Sequence, residues 1–141
     1  MAWSGVMPLP PRKRKPAGAP LPSGGELDIL AVLWRLKAAT VRQVHEALAK
    51  VRGYTTTLKQ MQIMADKGLI VRSERFGVHV YAAAVPRKQM QKRVAGDLLT
   101  RVFGGSTGSL VLGALEARRA SDEELAEIRK MIDTYRNQKR P

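Results

Sequence analysis

Apolar residues recur at helical spacing from Leu27 onward: Leu27, Leu30, Ala31 and Trp34 fall at i, i+3, i+4 and i+7, which predicts a helix over about residues 25–36 with that stripe in the core. Trp34 is read there as a packing residue. Ser23 and Glu26 precede the run at capping-box spacing, a local start signal. After Lys37-Ala38-Ala39 the same signature returns as Thr40 and Gln43, followed by Val41, Val44 and Leu48 on one face of a second helix ending near Val51. A turn at Arg52-Gly53 leads into a third helix from Tyr54, with Gly68 as its natural C-cap because a left-handed backbone costs glycine no Cβ clash. On that helix Tyr54, Leu58, Met61 and Ala65 fall on one side with Thr57 and Met64 flanking, while Thr55, Thr56, Lys59 and Ile63 point the other way. Residues 69–74 and 79–82 are rich in β-branched side chains around Arg75-Phe76-Gly77, the pattern of a hairpin.

From Pro86 the pattern changes to helices with more apolar surface than each can bury alone. Met90, Val94, Leu98 and Val102 step by four along a helix ending at Phe103-Gly104-Gly105. Leu110, Val111, Leu112 and Leu115 make a short, almost wholly apolar segment that must be covered. Ser121 and Glu124 form a third capping signature, after which Leu125, Ile128, Ile132 and Tyr135 repeat in steps of 3, 4 and 3, the spacing of a coiled-coil seam. Pairing of two chains would bury these faces, and Leu98, Val102, Phe103, Leu112, Leu115, Leu125, Ile128 and Ile132 are the candidate dimerisation residues. The competing possibility is that these helices fold back on the N-terminal part of their own chain.

Composition decides what such a fold is for. The 141 residues carry 25 Lys plus Arg against 12 Asp plus Glu, a formal charge of +13, and the pI of about 10.8 lies in the range of nucleic-acid-binding domains. The excess is spread along the chain, at +4 for residues 1–22, +4 for 23–85 and +5 for 86–141. Residues 1–22 hold six of the eight prolines and the run Arg12-Lys13-Arg14-Lys15, too little apolar material to offset the entropy of ordering. They are expected to form a disordered arm, either adding phosphate affinity or serving as a solubilising tail. Cysteine is absent, which excludes disulfides, thiolate metal sites and a cysteine nucleophile and suits a cytoplasmic protein. No apolar run approaches a membrane span or a signal core, so membrane insertion and secretion are not expected. With few aromatic residues, duplex DNA is favoured over single strands. Three short helices and a basic-tipped hairpin over 23–85 spell a winged helix-turn-helix, whose third helix enters the major groove while the wing touches flanking backbone. The expected fold class is therefore mainly α with a small β-hairpin, a winged helix followed by a helical dimerisation domain over 86–141. The alternative use of that fold is a protein-protein interaction module with nonspecific nucleic-acid affinity.

Candidate chemistry narrows accordingly. Thr55, Thr56, Lys59 and Gln62 are the side chains expected at base edges and adjacent phosphates, with Gln60 also counted on the outward turns, and Arg42, Tyr54, Arg72 and Arg75 are expected to position the DNA backbone. A solvated amphipathic helix would show the same polar face, and the rest of the chain is what favours DNA. Gly104-Gly105-Ser106-Thr107-Gly108-Ser109 looks like a phosphate-cradling loop but lacks the Lys-Ser/Thr pair and preceding strand of a P-loop, so it reads as a helix C-cap and hinge. His45 and His79 suggest no metal spacing. Asp122, Glu123, Glu124 and Glu127 occupy a helix start, where the macrodipole favours acids without any catalytic pairing. Neither an enzyme, nor a cofactor, nor a metal is expected.

Val32-Leu33-Trp34, Thr40-Val41-Arg42-Gln43-Val44, Tyr54-Thr55-Thr56, Met61-Gln62-Ile63-Met64, Lys67-Gly68-Leu69-Ile70, His79-Val80-Tyr81, Phe103-Gly104-Gly105-Ser106 and the run from Glu123 to Arg129 occur in an order and spacing that resembles the BlaI/MecI/CopY (penicillinase repressor) family over about residues 26–132. The resemblance implies a winged helix on a palindromic operator, a helical dimerisation domain, and repression of an operon that often encodes a membrane-bound sensor protease. It also implies a departure. The copper-responsive branch carries a C-terminal cysteine cluster, and this chain has none. In the β-lactam-responsive branch, induction cuts an Asn-Phe bond directly after Ser-Leu-Val-Leu; here Ser109-Leu110-Val111-Leu112 is followed by Gly113-Ala114, so a protease specific for Asn-Phe is expected to cut poorly.

Overall fold

A computed structural model describes residues 21–49 and 51–139; the expected basic arm falls almost wholly outside them. The order of elements is α1 (Gly24–Leu36), α2 (Val41–Ala47), α3 (Tyr54–Asp66), β1 (Ile70–Arg75), β2 (Val78–Ala83), α4 (Arg87–Arg101), α5 (Thr107–Ala117) and α6 (Asp122–Lys139). The fold is mainly helical with one antiparallel hairpin. Two compact units divide at Val94/Ala95.

Local signals set the helix ends of the first unit. Ser23 Oγ accepts from the Glu26 N–H while the Glu26 carboxylate accepts from the Ser23 N–H, and Thr40 and Gln43 repeat the exchange at α2. Helix α2 is shorter than its sequence pattern, ending at Ala47 with Ala49 at φ 58°. Helix α3 closes in a Schellman motif: the Leu69 N–H donates to the Met64 carbonyl at 2.9 Å and the Gly68 N–H to the Ala65 carbonyl at 3.1 Å, with Gly68 at φ 84°.

The core of this unit gathers Ile29, Leu30, Val32 and Leu33 from α1, Ala39, Val41 and Val44 around α2, Met61 and Met64 from α3, Ile70 and Tyr81 from the hairpin, and Met90 from α4. The α1 stripe differs from the expected one: Leu27 and Trp34 are only partly buried and Ala31 is exposed. Apolar residues cover so much of α1 that a second register fits equally well. Contact with α2, α3 and β2 together selects the face centred on Ile29 and Leu33. Trp34 packs against the core edge, its indole N–H donating to the Val85 carbonyl at 2.8 Å. Met90 is 2% exposed and Val94 packs against the same core, so α4 contributes its first turns to it, beyond residue 85.

The hairpin pairs Ile70 with Ala83 through Arg75 with Val78. Ala39 and Tyr81 exchange N–H to carbonyl bonds at 2.9 and 2.8 Å, adding the α1–α2 connection to the outer edge of β2. The turn is Phe76-Gly77, with φ of 51° and 78°, the two-residue geometry whose twist matches that of the strands.

In the second unit, Gly104 (φ 57°) and Gly105 (φ 82°) turn the chain after α4, with the Gly105 N–H on the Leu99 carbonyl at 2.8 Å. Ser106 then caps α5, its hydroxyl accepting from the Ser109 N–H at 3.0 Å. The glycine-serine run serves as helix stop and start. Ser121 Oγ likewise accepts from the Glu124 N–H at the head of α6.

Candidate nucleic-acid interface

Helix α3 presents the candidate surface. Thr57, Met61 and Met64 are fully buried, Leu58 and Ala65 half-buried, and Tyr54 is 39% exposed. The buried face is thus rotated from the expected one by roughly 60° at 100° per residue. A satisfied hydroxyl permits the shift: Thr57 Oγ1 donates to the Gly53 carbonyl at 3.1 Å, pairing within the helix the group that would otherwise resist burial. Thr55, Lys59 and Gln62 centre the opposite face together with Asp66, and Thr56 and Ile63 edge it; all are exposed.

Gln60 does not belong to that surface. Arg52 Nη1 donates to its Oε1 at 2.6 Å, and Arg52 Nη2 reaches Asp28 at 3.5 Å. A Cβ on Gly25 would lie 2.6 Å from the Gln60 amide nitrogen, so the amide lies over the start of α1 and a side chain at position 25 would have to displace it. Arg52 therefore ties the α2–α3 turn to α1 and α3, and its backbone carbonyl meets His45 Nε2 at 3.0 Å. These partners lie up to 24 residues from Arg52 in sequence, and no local pattern pointed to them.

Arg42 and Tyr54 are brought together. The Arg42 guanidinium lies 5.4 Å from the Tyr54 ring centroid, and His45 meets the same ring edge-on at 5.7 Å. This fixes the tyrosine at the head of α3 and holds a cation beside it. Arg72 and Arg75 are both exposed but lie on opposite faces of the hairpin. Alternation along β1 sets Arg72 with Ile70 and Tyr81, and Arg75 with Ser73 and Val78.

Lys67 and Glu26 hold the far end of α3. Lys67 Nζ lies 2.8 Å from Glu26 Oε2, and the carboxylate is 6% exposed. Burial pushes the Glu26 pKa up, but the hydrogen bonds from Lys67 and from the Ser23 backbone, with the Lys67 charge, outweigh it and hold the carboxyl below its ordinary value.

In the second unit, Leu98, Val102, Leu112, Leu115, Leu125 and Ile132 are exposed, whereas Phe103 and Ile128 are half-buried. Phe103 lies on α5: a Cβ at Gly113 would sit 3.1 and 3.3 Å from its ring carbons. Among the described residues, no three His, Cys, Asp or Glu side chains are grouped to hold a metal ion, and no helix is long and apolar enough to cross a membrane.

Three helices with a hairpin after the third, and a polar face on that third helix, define a winged helix-turn-helix protein. More narrowly, the chain belongs to the penicillinase repressor family, whose profile matches residues 22–134. It is 24% identical over 120 residues to the penicillinase repressor of Bacillus licheniformis, covering 84% of this chain and 94% of that protein. It is 31% identical over 104 residues to the transcriptional regulator BlaI of Mycobacterium tuberculosis, covering 70% and 75%, and 22% identical over 113 residues to the methicillin resistance regulatory protein MecI of Mammaliicoccus sciuri, covering 79% and 92%.

Proposed function

We propose that this chain is a transcriptional repressor that binds duplex DNA as a homodimer, setting one α3 in the major groove of each half of a palindromic operator. The observation that carries the reading is the exposed face of α3, where Thr55, Lys59 and Gln62 stand outward on a helix whose other side is locked into a core. Short hydroxyls, an amide and one cation bond base edges and phosphates at small desolvation cost. The charge of +13 supplies the sequence-independent part of the affinity. Arg42 and Tyr54 would meet the backbone beside the head of α3, and Arg72 and Arg75 would meet it from the wing. The family name, and the repressor and regulator names of the relatives, favour repression over activation and over an enzymatic role.

The homodimer is supported by the apolar side chains that the second unit leaves in solvent on α4, α5 and α6, since clustered exposed apolar side chains mark interaction surfaces. A titration of binding to random duplex DNA against salt tests the central reading. Each phosphate contact contributes a log-log slope of about −0.9, so several contacts give a steep line, while a flat response removes DNA and leaves a protein-binding module. Protection mapping on the chain's own upstream DNA then gives the operator and its half-site spacing. One helical turn, or a multiple of it, is the spacing a two-fold dimer requires.

A further inference from the structure

Phe76 sits fully exposed at the tip of the wing, at φ 51°. Both features run against the ordinary chemistry of a hairpin turn. The first position of this turn takes Asn, Asp or Gly most readily, and a bulky residue there is an outlier that folding alone does not select. Among the described residues, the other Trp and Tyr side chains of the unit are engaged: Trp34 with the Val85 carbonyl and Arg87, Tyr54 with Arg42 and His45, and Tyr81 in the core. The wing beneath Phe76 is anchored, because Ile70 and Tyr81 are buried and the Ala39–Tyr81 bonds fix its base. Two cations accompany the ring, Arg75 immediately before it and Arg72 on the other face of the ribbon.

We infer that Phe76 is an apolar wedge that enters the minor groove flanking each operator half-site and inserts between adjacent base pairs. This rests on the DNA-binding reading. A ribbon carrying one arginine on each face suits a groove walled by phosphate on both sides, and the ring between them has no role at a phosphate. Apolar side chains inserted from the minor groove unstack a base step and kink the duplex. The cost is lowest at flexible pyrimidine–purine steps, so Phe76 confers a preference at a flanking position that no hydrogen bond reads.

The test uses the full chain and a duplex carrying the site protected on its own upstream DNA, with 2-aminopurine placed in turn at each flanking position. Phe76→Asn keeps a residue suited to the left-handed turn and removes the wedge, so its melting temperature should be equal or higher. Phe76→Leu keeps an apolar wedge. Wild type should raise the 2-aminopurine fluorescence at one flanking step and bend the duplex in circular-permutation electrophoresis. Phe76→Asn should lose both and bind about tenfold or more weakly, the scale of losing one base–aromatic stack, with an unchanged salt slope; Phe76→Leu should retain the bend. Replacing the flanking TA or CA step by a stiff A-tract should weaken wild type and leave Phe76→Asn unaffected. Wild type that binds the site without unstacking any flanking step overturns the wedge while leaving the DNA reading intact. So does Phe76→Asn with wild-type affinity and bend, or one that loses only a protein partner. Wild type that fails to bind duplex DNA at all overturns both.

Discussion

Single side chains on α3 and at its ends carry the sharpest consequences. Lys59 is exposed near the centre of the outward face. Lys59→Ala should weaken operator binding, and if the lysine meets a base edge it should also relax discrimination at one position by about 1–3 kcal/mol. Competition binding against an operator substituted one position at a time measures this, and unchanged affinity would mean that another face enters the groove. Glu26 is the second residue with a measurable signature. Its folded pKa lies below the ordinary value, so its contribution to stability is present at neutral pH and is lost as pH falls through the depressed pKa. Glu26→Gln should therefore lower stability at pH 7 and flatten its decline as the solution is acidified through the carboxylate range, as read by denaturant midpoints from neutral to acid pH. Lys67 is half-exposed, so salt should narrow the difference from wild type. The position of Glu26 ahead of an apolar run marked it as a cap. Its ion pair joins residues 41 apart, and spacing rules do not reach that far.

At the level of elements, what was legible followed from how local each cause is. The capping residues Ser23, Thr40 and Ser121 and the stop at Gly68 work through bonds within a few residues, so composition and spacing suffice to place them. The outward side of α3 was legible, since Thr55, Thr56, Lys59 and Ile63 are exposed as expected; the centre of its buried face was not, because hydropathy counts Thr57 as polar while its hydroxyl bonds one turn back and lets the residue sink. The register of α1 was ambiguous for the opposite reason, an excess of apolar positions that only its neighbours resolve. Helix α5 gives a prediction of its own. The Gly113-Ala114 bond lies inside a regular helix (Thr107–Ala117), and the Phe103 ring lies against Gly113. A protease needs extended backbone, and a subsite for a large aromatic side chain gains about 1.5–3 kcal/mol from burying it, nearly all of which Ala114 forgoes. Cells exposed to a cell-wall antibiotic should accumulate no fragment ending at Gly113, as judged by intact mass. An intact chain with derepressed promoters would place induction in a ligand or partner, and a clean cut at that bond would reverse the prediction.

For the whole molecule, the burial of Met90 matters when the chain is divided. Truncation after Val94 should leave a folded unit, while truncation after Val85 removes a fully buried methionine whose loss from a core costs about 2–5 kcal/mol. Thermal melts of the two fragments should show the shorter one markedly less stable. Both should sediment as monomers if α5 and α6 carry the dimer contacts, and both should bind the operator far more weakly than the full chain, since the second half-site is no longer engaged intramolecularly. A dimeric fragment would move the interface to the winged helix. The paired bonds between Ala39 and Tyr81 have a kinetic consequence. They join the turn between the first two helices to the outer strand of the wing, so neither can open without breaking a bond that belongs to the other. Deuterium uptake at those two amides should consequently match the slowest core amides, Ile29 and Leu30 among them, and proceed at one common rate. The wing would then be no frayed appendage but part of a single cooperative unfolding unit, delivering its tip to DNA without a separate ordering step.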